Sequence, residues 1–125
     1  MSNETQRVTI VIVNWNVRDL LRACLASVYS HGGLPPEAMK VIVVDNASAD
    51  GSVEMVRAEF PQVLLIDNKD NVGFGKANNQ TLPLCNSPYM LLLNPDTVVE
   101  PGADVQTRAQ DGRSRFTALA YPAAD

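Results

Sequence analysis

The chain has 125 residues, the length of one modest domain, and its 46% hydrophobic and 19% charged residues are typical of a globular protein. Ten Lys and Arg against fourteen Asp and Glu leave a net charge of −4, which excludes a nucleic-acid-binding protein of the usual basic kind. No apolar run reaches the roughly 18 residues that a membrane span needs, and the N-terminus lacks a secretory signal pattern. These features predict a cytoplasmic protein with no membrane span and no nucleic-acid partner.

Cysteine usage agrees with a cytoplasmic protein. Cys24 and Cys85 are far apart in the sequence, form no CxxC motif and lie in apolar segments. We therefore expect two reduced, buried thiols rather than a disulfide.

Four continuously apolar runs predict buried parallel strands. Strands that are covered on both faces lose the alternation of polar and apolar residues, and these runs show no such alternation. The runs are residues 8–13, 41–44, 63–66 and 89–93, and the polar residues that follow them are Asn14, Asp45, Asp67 and Asn94.

Amphipathic segments between these runs predict helices. The first begins at Asn16, a good N-cap residue, with Asp19 in its first turn. Its inward stripe at helical spacing consists of Leu20, Leu21, Cys24, Leu25 and Val28. The second helix covers about residues 52–60 and the third about residues 74–84, where the inner face is poorly apolar and consists of Ala77, Asn78 and Thr81. This strand–helix–strand repetition predicts an α/β fold, a mostly parallel sheet with helices on both faces.

Parallel sheets bind ligands outside the carboxyl ends of their strands, so the residues there are the first candidates for a site. Asn14, Trp15 and Asn16 follow the first strand, and Trp15 is the only Trp of the chain. An indole face at this position suits a nucleobase, a contact worth about 1–3 kcal/mol in other stacking contexts. The alternative is a Trp that packs over the edge of the core.

Asp45 and Asn46 follow the second strand. A carboxylate at a strand end can accept a hydrogen bond from a base N–H or a ribose hydroxyl, and we predict this role for Asp45. The alternative is that Asp45 only caps a turn. For Asp50 and Ser52, a few residues later, we predict a helix-capping role.

A polar loop with two glycines around an aromatic residue follows the third strand. Gly73 and Gly75 flank Phe74, and such glycines permit a tight turn and a close approach of the backbone to a ligand. The spacing matches neither the P-loop nor the GxGxxG fingerprint. The loop also offers carboxamide donors and acceptors at Asn71, Asn78 and Asn79.

The fourth strand is followed by Asn94, Pro95, Asp96 and Thr97. A carboxylate on a tight turn at a strand end suits a hard divalent cation that bridges a diphosphate. One carboxylate is too few for a site made by protein ligands alone, so phosphate oxygens and water would complete the coordination shell. The alternative is a Pro-Asp turn with no metal.

Taken together, these four strand ends resemble the inverting glycosyltransferases of family 2, most of all rhamnosyltransferase-like members. The motifs that carry the resemblance are VTIVIVNWN (residues 8–16), VIVVDNASADGS (41–52), DNVGFGKANN (70–79) and YMLLLNPDTVVEPG (89–102). They keep the family's order and spacing throughout residues 8–102. The resemblance implies the GT-A fold, which is Rossmann-like, and a nucleotide-sugar donor held across the strand ends.

The resemblance also implies roles for single residues. Trp15 would lie beside the base, Asp45 would bind the base or the ribose, and residues 73–79 would line the donor pocket. Asp96 lies where the family has its DxD motif and would bind Mg²⁺ or Mn²⁺, a Lewis acid for the departing nucleoside diphosphate; Asn94 replaces the first Asp of that motif. The implied donor-binding residues are Asn14, Trp15, Asn16, Asp45, Asn46, Asn71, Gly73, Phe74, Gly75, Asn78, Asn79, Asn94 and Asp96.

Family members continue well beyond the metal motif, into a half that binds a glycan or lipid-linked acceptor and supplies the general base. Residues 103–125 show no match to that half. We therefore expect a donor-binding portion at residues 1–102, a divergent and poorly ordered tail at residues 103–125, and a truncated, catalytically incomplete enzyme with no general base of its own. The uncovered sheet edge of such a half predicts self-association. The implied location is cytoplasmic, peripheral at the inner face of the membrane.

Two other classes of protein are alternatives. A non-catalytic, doubly wound regulatory module such as a receiver-like domain is compatible with the run VIVVD. However, a receiver carries acidic residues after its first strand, where this chain has Asn14, Trp15 and Asn16. A nucleotide-binding dehydrogenase domain is disfavoured because GxGxxG is absent.

Overall fold

A computed structural model describes residues 8–31 and 35–99, together with the backbone of residues 118–122. Strands and helices alternate along the chain as the sequence predicts. They are β1 (Val8–Asn14), α1 (Arg18–His31), β2 (Met39–Asn46), α2 (Ser52–Glu59), β3 (Leu64–Asn68), α3 (Phe74–Asn79), β4 (Tyr89–Leu93) and β5 (Ala118–Pro122), with short 3₁₀ helices at Pro36–Ala38 and Leu82–Leu84. Every helix in the described part of the chain falls short of the length and apolarity that a bilayer crossing requires.

The strands form one sheet in the order β3-β2-β1-β4-β5. β1 to β4 are parallel, and β5 runs antiparallel to β4. The mostly parallel α/β sheet predicted from the sequence is therefore confirmed. The strand order changes direction at β1, which has β2 on one side and β4 on the other. The carboxyl ends of β1 and β4 thus flank the point at which ligands bind in sheets of this kind.

β5 is a strand that the sequence pattern does not predict. It lies in the segment 103–125, and its backbone pairs with the whole of β4, from Tyr89 opposite Pro122 to Leu93 opposite Ala118. β5 therefore covers the outer edge of β4, while β3 forms the other edge of the sheet, and self-association through an uncovered edge stays a prediction. The sequence of β5, ALAYP, lacks the continuous run of large apolar residues by which the other strands were predicted. The rest of the predicted tail lies outside the described residues.

Two apolar layers cover the sheet, because successive strand residues point to opposite faces. On one face α1 and α2 pack on the three central strands, and the fully buried side chains there include Ile10, Ile12, Leu21, Leu25 and Val43. On the other face Ile42 and Val44 pack against Ala77 of α3. The prediction of helices on both faces is confirmed.

The start of α1 differs from the prediction. The helix begins at Arg18 rather than Asn16, and Asn16 has a left-handed backbone with φ 56°. Its Oδ1 accepts a hydrogen bond from the N–H of Ala49 at 2.7 Å, so Asn16 joins two loops instead of capping the helix. Leu20, predicted to lie in the core stripe, is 48% exposed. It lies in the first turn of α1, which starts at the carboxyl ends of the strands rather than over the middle of the sheet.

The third and fourth segments also differ in detail. β3 is an edge strand that begins at Leu64 and is partly exposed throughout, not the buried strand predicted for residues 63–66. The apolar run fits both positions, because it does not tell an edge strand from a central one. α3 ends at Asn79, since Pro83 cannot continue the helix. Cys85 is only half-buried, whereas Cys24 is buried as predicted, and both thiols are free.

Asp50 holds the starts of two helices. Its Oδ2 accepts a hydrogen bond from the N–H of Arg18, the first residue of α1, at 2.9 Å. Its Oδ1 accepts one from the N–H of Ser52, the first residue of α2, at 3.1 Å. Gly51, with φ 87°, occupies the N-cap position of α2. Asp50 therefore caps α2 as predicted, but it lies one residue before the N-cap position. The hydroxyl of Ser52 donates a hydrogen bond to Asp50.

Candidate functional site

A cavity of about 470 Å³ lies at the carboxyl ends of β1 and β4, where the strand order changes direction. This volume is within the range of small-molecule sites. Its walls come from the ends of β1 and β2, from the loops that follow β1, β3 and β4, and from the first turns of α1 and α3. The lining residues are Val13, Trp15, Val17, Leu20, Asn46, Asn71, Phe74, Asn94, Pro95 and Asp96.

Six of the residues predicted from the sequence meet in this cavity: Trp15, Asn46, Asn71, Phe74, Asn94 and Asp96. The other seven lie around it without lining it, namely Asn14, Asn16, Asp45, Gly73, Gly75, Asn78 and Asn79. Sequence reasoning missed the apolar wall made by Val17 and Leu20. Their signal was ambiguous, because an apolar residue in the first turn of a helix fits a core stripe as well as a cavity wall.

Two aromatic side chains are exposed in the cavity. Trp15 is 56% exposed and Phe74 is 59% exposed, although large aromatic side chains usually bury most of their surface. Trp15 therefore does not pack over the edge of the core, which was the alternative interpretation. Two aromatic faces in one cavity provide stacking surface for a planar ring.

Asp45 is buried at the end of β2, with 1% of its surface exposed. Its Oδ1 accepts hydrogen bonds from Asn14 Nδ2 at 2.9 Å and from the hydroxyl of Ser48 at 2.8 Å. Its Oδ2 accepts one from the N–H of Ser48 at 2.9 Å. This is the turn-capping geometry that was the alternative for Asp45, and a contact with a donor nucleotide stays a prediction.

Two buried polar atoms lie near the same end of the sheet without a hydrogen-bond partner among the described residues. They are Asn14 Oδ1, at the end of β1, and Thr97 Oγ1, in the turn after β4. Unsatisfied buried polar atoms are rare in folded proteins and need a specific reason. Here they mark the two strand ends that flank the cavity.

A carboxamide network holds the loop that carries Phe74. Asn46 Oδ1 accepts a hydrogen bond from Asn68 Nδ2 at 3.0 Å, and Asn46 Nδ2 donates to the carbonyl of Gly73 at 3.3 Å. Asn68 and Gln80 exchange two hydrogen bonds of 2.9 Å. The ends of β2 and β3, the loop and the chain just after α3 are thereby joined, so Asn46 both lines the cavity and supports its wall.

The two glycines of this loop differ. Gly73 has φ 87° and ψ 168°, a conformation that is essentially restricted to glycine. Gly75 lies inside α3 and lacks a positive φ, and a Cβ added there would meet nothing within 4 Å. The backbone of this loop therefore needs glycine at Gly73, as the sequence predicts, but not at Gly75. Asn78 and Asn79 belong to α3 and do not reach the cavity.

Asp96 carries the exposed carboxylate of the cavity. The turn that presents it is closed by a 3.0 Å hydrogen bond from the N–H of Thr97 to the carbonyl of Asn94. Within the described residues Asp96 has no hydrogen-bond or ion-pair partner, and no group of three or more His, Cys, Asp or Glu side chains is arranged to hold a metal. The site thus offers a single free carboxylate, with the carboxamide of Asn94 nearby.

Cys24 of α1 lies directly below this turn. Its thiol donates a long hydrogen bond, 3.8 Å, to the carbonyl of Asn94. Burial raises the pKa of the Cys24 thiol to about 12, and the carboxylate of Asp96 adds to the rise. The thiol is therefore uncharged at neutral pH and acts here as a packing group.

Comparison with known proteins gives several curated relatives, including the following two. The chain is 26% identical over 104 residues to the protein named uncharacterized glycosyltransferase YibD from Escherichia coli K12. It is 30% identical over 108 residues to the succinoglycan biosynthesis protein ExoU from Rhizobium meliloti. These alignments cover 81% and 84% of this chain but 29% and 30% of the relatives. The chain therefore spans less than a third of the length of these relatives.

A solved structure is similar as well. It is the mannosyltransferase PcManGT from Pyrobaculum calidifontis, in complex with GDP-Man and Mn²⁺, with a TM-score of 0.66 and 26% identity. The match covers 74% of this chain and 28% of that one. This similarity supports the GT-A fold that the resemblance implied.

The family match covers most of the chain. The family described as "Glycosyl transferase family 2" matches residues 9–111. This range continues past Gly102, where the resemblance seen in the sequence motifs ends. The described part of the match contains the whole cavity, from Val13 on β1 to Asp96 after β4. The chain belongs to glycosyl transferase family 2.

Proposed function

We propose that this chain binds a nucleotide-sugar donor in the cavity between β1 and β4, together with Mg²⁺ or Mn²⁺ at Asp96, as the donor-binding part of a glycosyltransferase. The observation that carries the proposal is the composition of the cavity. A free carboxylate on a tight turn and two exposed aromatic faces line the same space of about 470 Å³. A sugar nucleotide has the matching groups, a diphosphate that binds a metal and a planar base.

The donor set at the turn fits a hard divalent cation. Such ions prefer carboxylate and carbonyl oxygens, and they bridge protein carboxylates to phosphates. Asp96 is exposed and has no hydrogen-bond or ion-pair partner in the described part of the chain, so no protein bond has to break before it binds a metal. Asn94, which also lines the cavity, has a carboxamide oxygen that could serve as a second ligand. When bound, the ion would stabilise the negative charge of the departing nucleoside diphosphate.

The base and the ribose are assigned to the aromatic and carboxamide residues of the cavity. Trp15 and Phe74 offer stacking surface, and Asn71 and Asn46 offer carboxamide groups for hydrogen bonds. For Asp45 we propose contact with the base or the ribose through Oδ2, which accepts one hydrogen bond in the fold, whereas Oδ1 accepts two.

The finer assignments rest on the family resemblance. We propose a rhamnosyl or hexosyl donor, an acceptor hydroxyl on a glycan or lipid-linked glycan, and action at the inner face of the membrane. The name of ExoU, a succinoglycan biosynthesis protein, supports a polysaccharide product. An inverting transfer also needs a carboxylate base for the acceptor hydroxyl. Asp96 is the only carboxylate that lines the cavity, so we assign no base among the described residues.

Calorimetry with GDP and UDP tests the proposal. We expect one of the two nucleotides to bind in the presence of Mn²⁺ or Mg²⁺, and EDTA to weaken this binding about tenfold or more. Asp96→Asn should remove the effect of the metal. Asp70→Asn is the matched control, because Asp70 is an exposed carboxylate of a neighbouring loop that does not line the cavity. If neither nucleotide binds with metal present, a GDP-linked or UDP-linked donor is excluded, and if dTDP, ADP and CDP also fail to bind, the proposed function is wrong.

A further inference from the structure

The segment from Asn94 to Val99 carries Asp96 and is fixed to α1 at both ends. At its start, the thiol of Cys24 donates to the carbonyl of Asn94 at 3.8 Å. At its end, the hydroxyl of Ser27 accepts a hydrogen bond from the N–H of Val99 at 2.8 Å. Cys24 and Ser27 are three residues apart, so they lie on the same face of the helix.

Ser27 is the stronger of the two anchors. Its hydroxyl also donates to the carbonyl of Cys24 at 2.7 Å, so both its donor and its acceptor capacity are used. Such a bond to the preceding turn of a helix is a common local feature and by itself explains no function. The bond to Val99, 72 residues away in the sequence, is not local.

Burial makes this anchor costly to remove. Ser27 is 6% exposed and Val99 is fully buried. Without the hydroxyl, the N–H of Val99 would be left without its partner in an apolar environment, which is unfavourable for any backbone group. The segment would then have to move to find another partner for this N–H. Asp96, three residues earlier on the same segment, would move with it.

We propose that Ser27 is a positioning residue for the metal-binding turn, residues 94–97, which carries Asp96. Cys24 is a second support of the same turn. The two α1 side chains hold the ends of segment 94–99, so that the free carboxylate of Asp96 faces the cavity without having to be ordered when the ligand binds. Preorganisation of this kind lowers the entropic cost of binding. The inference rests on the proposed function of Asp96, but the positioning itself is testable without any ligand.

Ser27→Ala and Ser87→Ala form a matched pair for the test. Ser87 is also a buried serine, 4% exposed, and its hydroxyl is bonded to that of Thr9 at 2.8 Å. It precedes β4, whereas the metal-binding turn follows the other end of that strand. Both variants therefore lose one buried hydroxyl, but only Ser27→Ala loses it beside the segment that carries Asp96.

The ligand-free measurement is amide hydrogen exchange followed by NMR in the full chain. Ser27→Ala should accelerate exchange at the amides of Thr97 and Val99 about tenfold relative to the amides of β2, as expected for the loss of about one hydrogen bond. Ser87→Ala should leave these two amides unchanged relative to β2. Equal acceleration in both variants, or none in Ser27→Ala, would overturn the proposal.

The ligand measurement is titration with GDP and UDP, each with Mn²⁺ and with EDTA. Ser27→Ala should weaken the Mn²⁺-dependent binding about fivefold and leave the metal-free binding unchanged, while Ser87→Ala behaves like the original chain. Unchanged Mn²⁺-dependent binding in Ser27→Ala contradicts the positioning of Asp96. Absence of binding in the original chain, with GDP, UDP, dTDP, ADP and CDP alike, instead contradicts the proposed function, and the exchange data then decide the role of Ser27 alone.

Discussion

Asn14 donates a 2.9 Å hydrogen bond from its Nδ2 to Oδ1 of Asp45, across the carboxyl ends of β1 and β2. The two residues are direct partners in the parallel register. Both are almost completely buried, so this bond ties the bottom of the candidate site into the sheet. At this depth a polar group needs a hydrogen-bond partner, and Asn14 Nδ2 and Asp45 Oδ1 provide one for each other, while Asn14 Oδ1 has none among the described residues.

Asp45→Asn should therefore be strongly destabilising. The carboxylate oxygens of Asp45 accept hydrogen bonds, but in the variant the NH₂ group of Asn would face one set of these donors. Loss of such buried hydrogen bonds costs about 1–3 kcal/mol. Asp67→Asn is the control, because Asp67 pairs with Asp45 in the sheet register but is exposed. Its ion pair with Arg57 is a 3.5 Å surface contact, so we expect a change within about 0.5 kcal/mol. Urea unfolding gives the change in the free energy of unfolding for both variants. Equal changes would contradict a stabilising role for the buried hydrogen bonds of Asp45.

Trp15 should report nucleotide binding directly. It is the only Trp of the chain and is 56% exposed in the cavity, so a stacked base would change its fluorescence. Trp15→Ala should weaken binding by about 1–3 kcal/mol while the unfolding midpoint stays nearly unchanged. Leu82→Ala is the control, an exposed apolar residue outside the cavity. Saturable binding without a fluorescence change would show that the base lies elsewhere.

Gly73 and Gly75 should respond oppositely to alanine. Gly73→Ala forces a side chain into a conformation reserved for glycine, at a cost of about 1–3 kcal/mol. Gly75→Ala places a methyl group into open space inside a helix and should stabilise the fold by about 0.5 kcal/mol. Thermal unfolding of the two variants measures the difference. A destabilising Gly75→Ala would mean that α3 is not helical at this position.

The two thiols should differ in reactivity. The Cys24 side chain is fully buried, and burial raises its pKa to about 12, so almost none of it is the reactive thiolate at pH 8. Cys85 is half-buried and accessible to small reagents. Iodoacetamide followed by mass spectrometry should show one label on the folded chain, at Cys85, and two after unfolding in urea. Rapid double labelling of the folded chain would contradict the packing of Cys24 under the turn.

Much of the sheet follows from the apolar pattern. β4 has the bounds predicted for residues 89–93, because a fully covered strand is apolar throughout and is followed by a polar turn. The edge position of β3 was not predictable, since the same apolar run is compatible with one neighbour or two. The strand β5 was not predictable either, because its sequence, ALAYP, lacks the continuous run of large apolar residues that predicts the other strands.

The candidate site, like the sheet, could be predicted from the sequence only in part. Trp15 and Asp96 were placed in one cavity by a general rule, that parallel strands end on the same side of a sheet. The different positions of Asp45 and Asn46 depend on which face each side chain takes, and this requires the exact strand register. Ser27 gave no signal, because one serine inside an apolar helix stripe is common and its partner is 72 residues away.

The shared carboxylate of Asp50 links acid sensitivity to both helix starts at once. Burial raises the pKa of Asp50, but hydrogen bonds from Ser52 and from backbone N–H groups outweigh it and lower the pKa below 3.8. A carboxyl group with a lower pKa in the fold stabilises it above pH 3.8, and this contribution is lost as the pH falls through the folded value. We expect the amide signals of Arg18 and Ser52 to titrate with one midpoint in NMR. Protonation of this one carboxyl group is therefore expected to loosen both helix starts together, including the loop before α1 that carries Trp15.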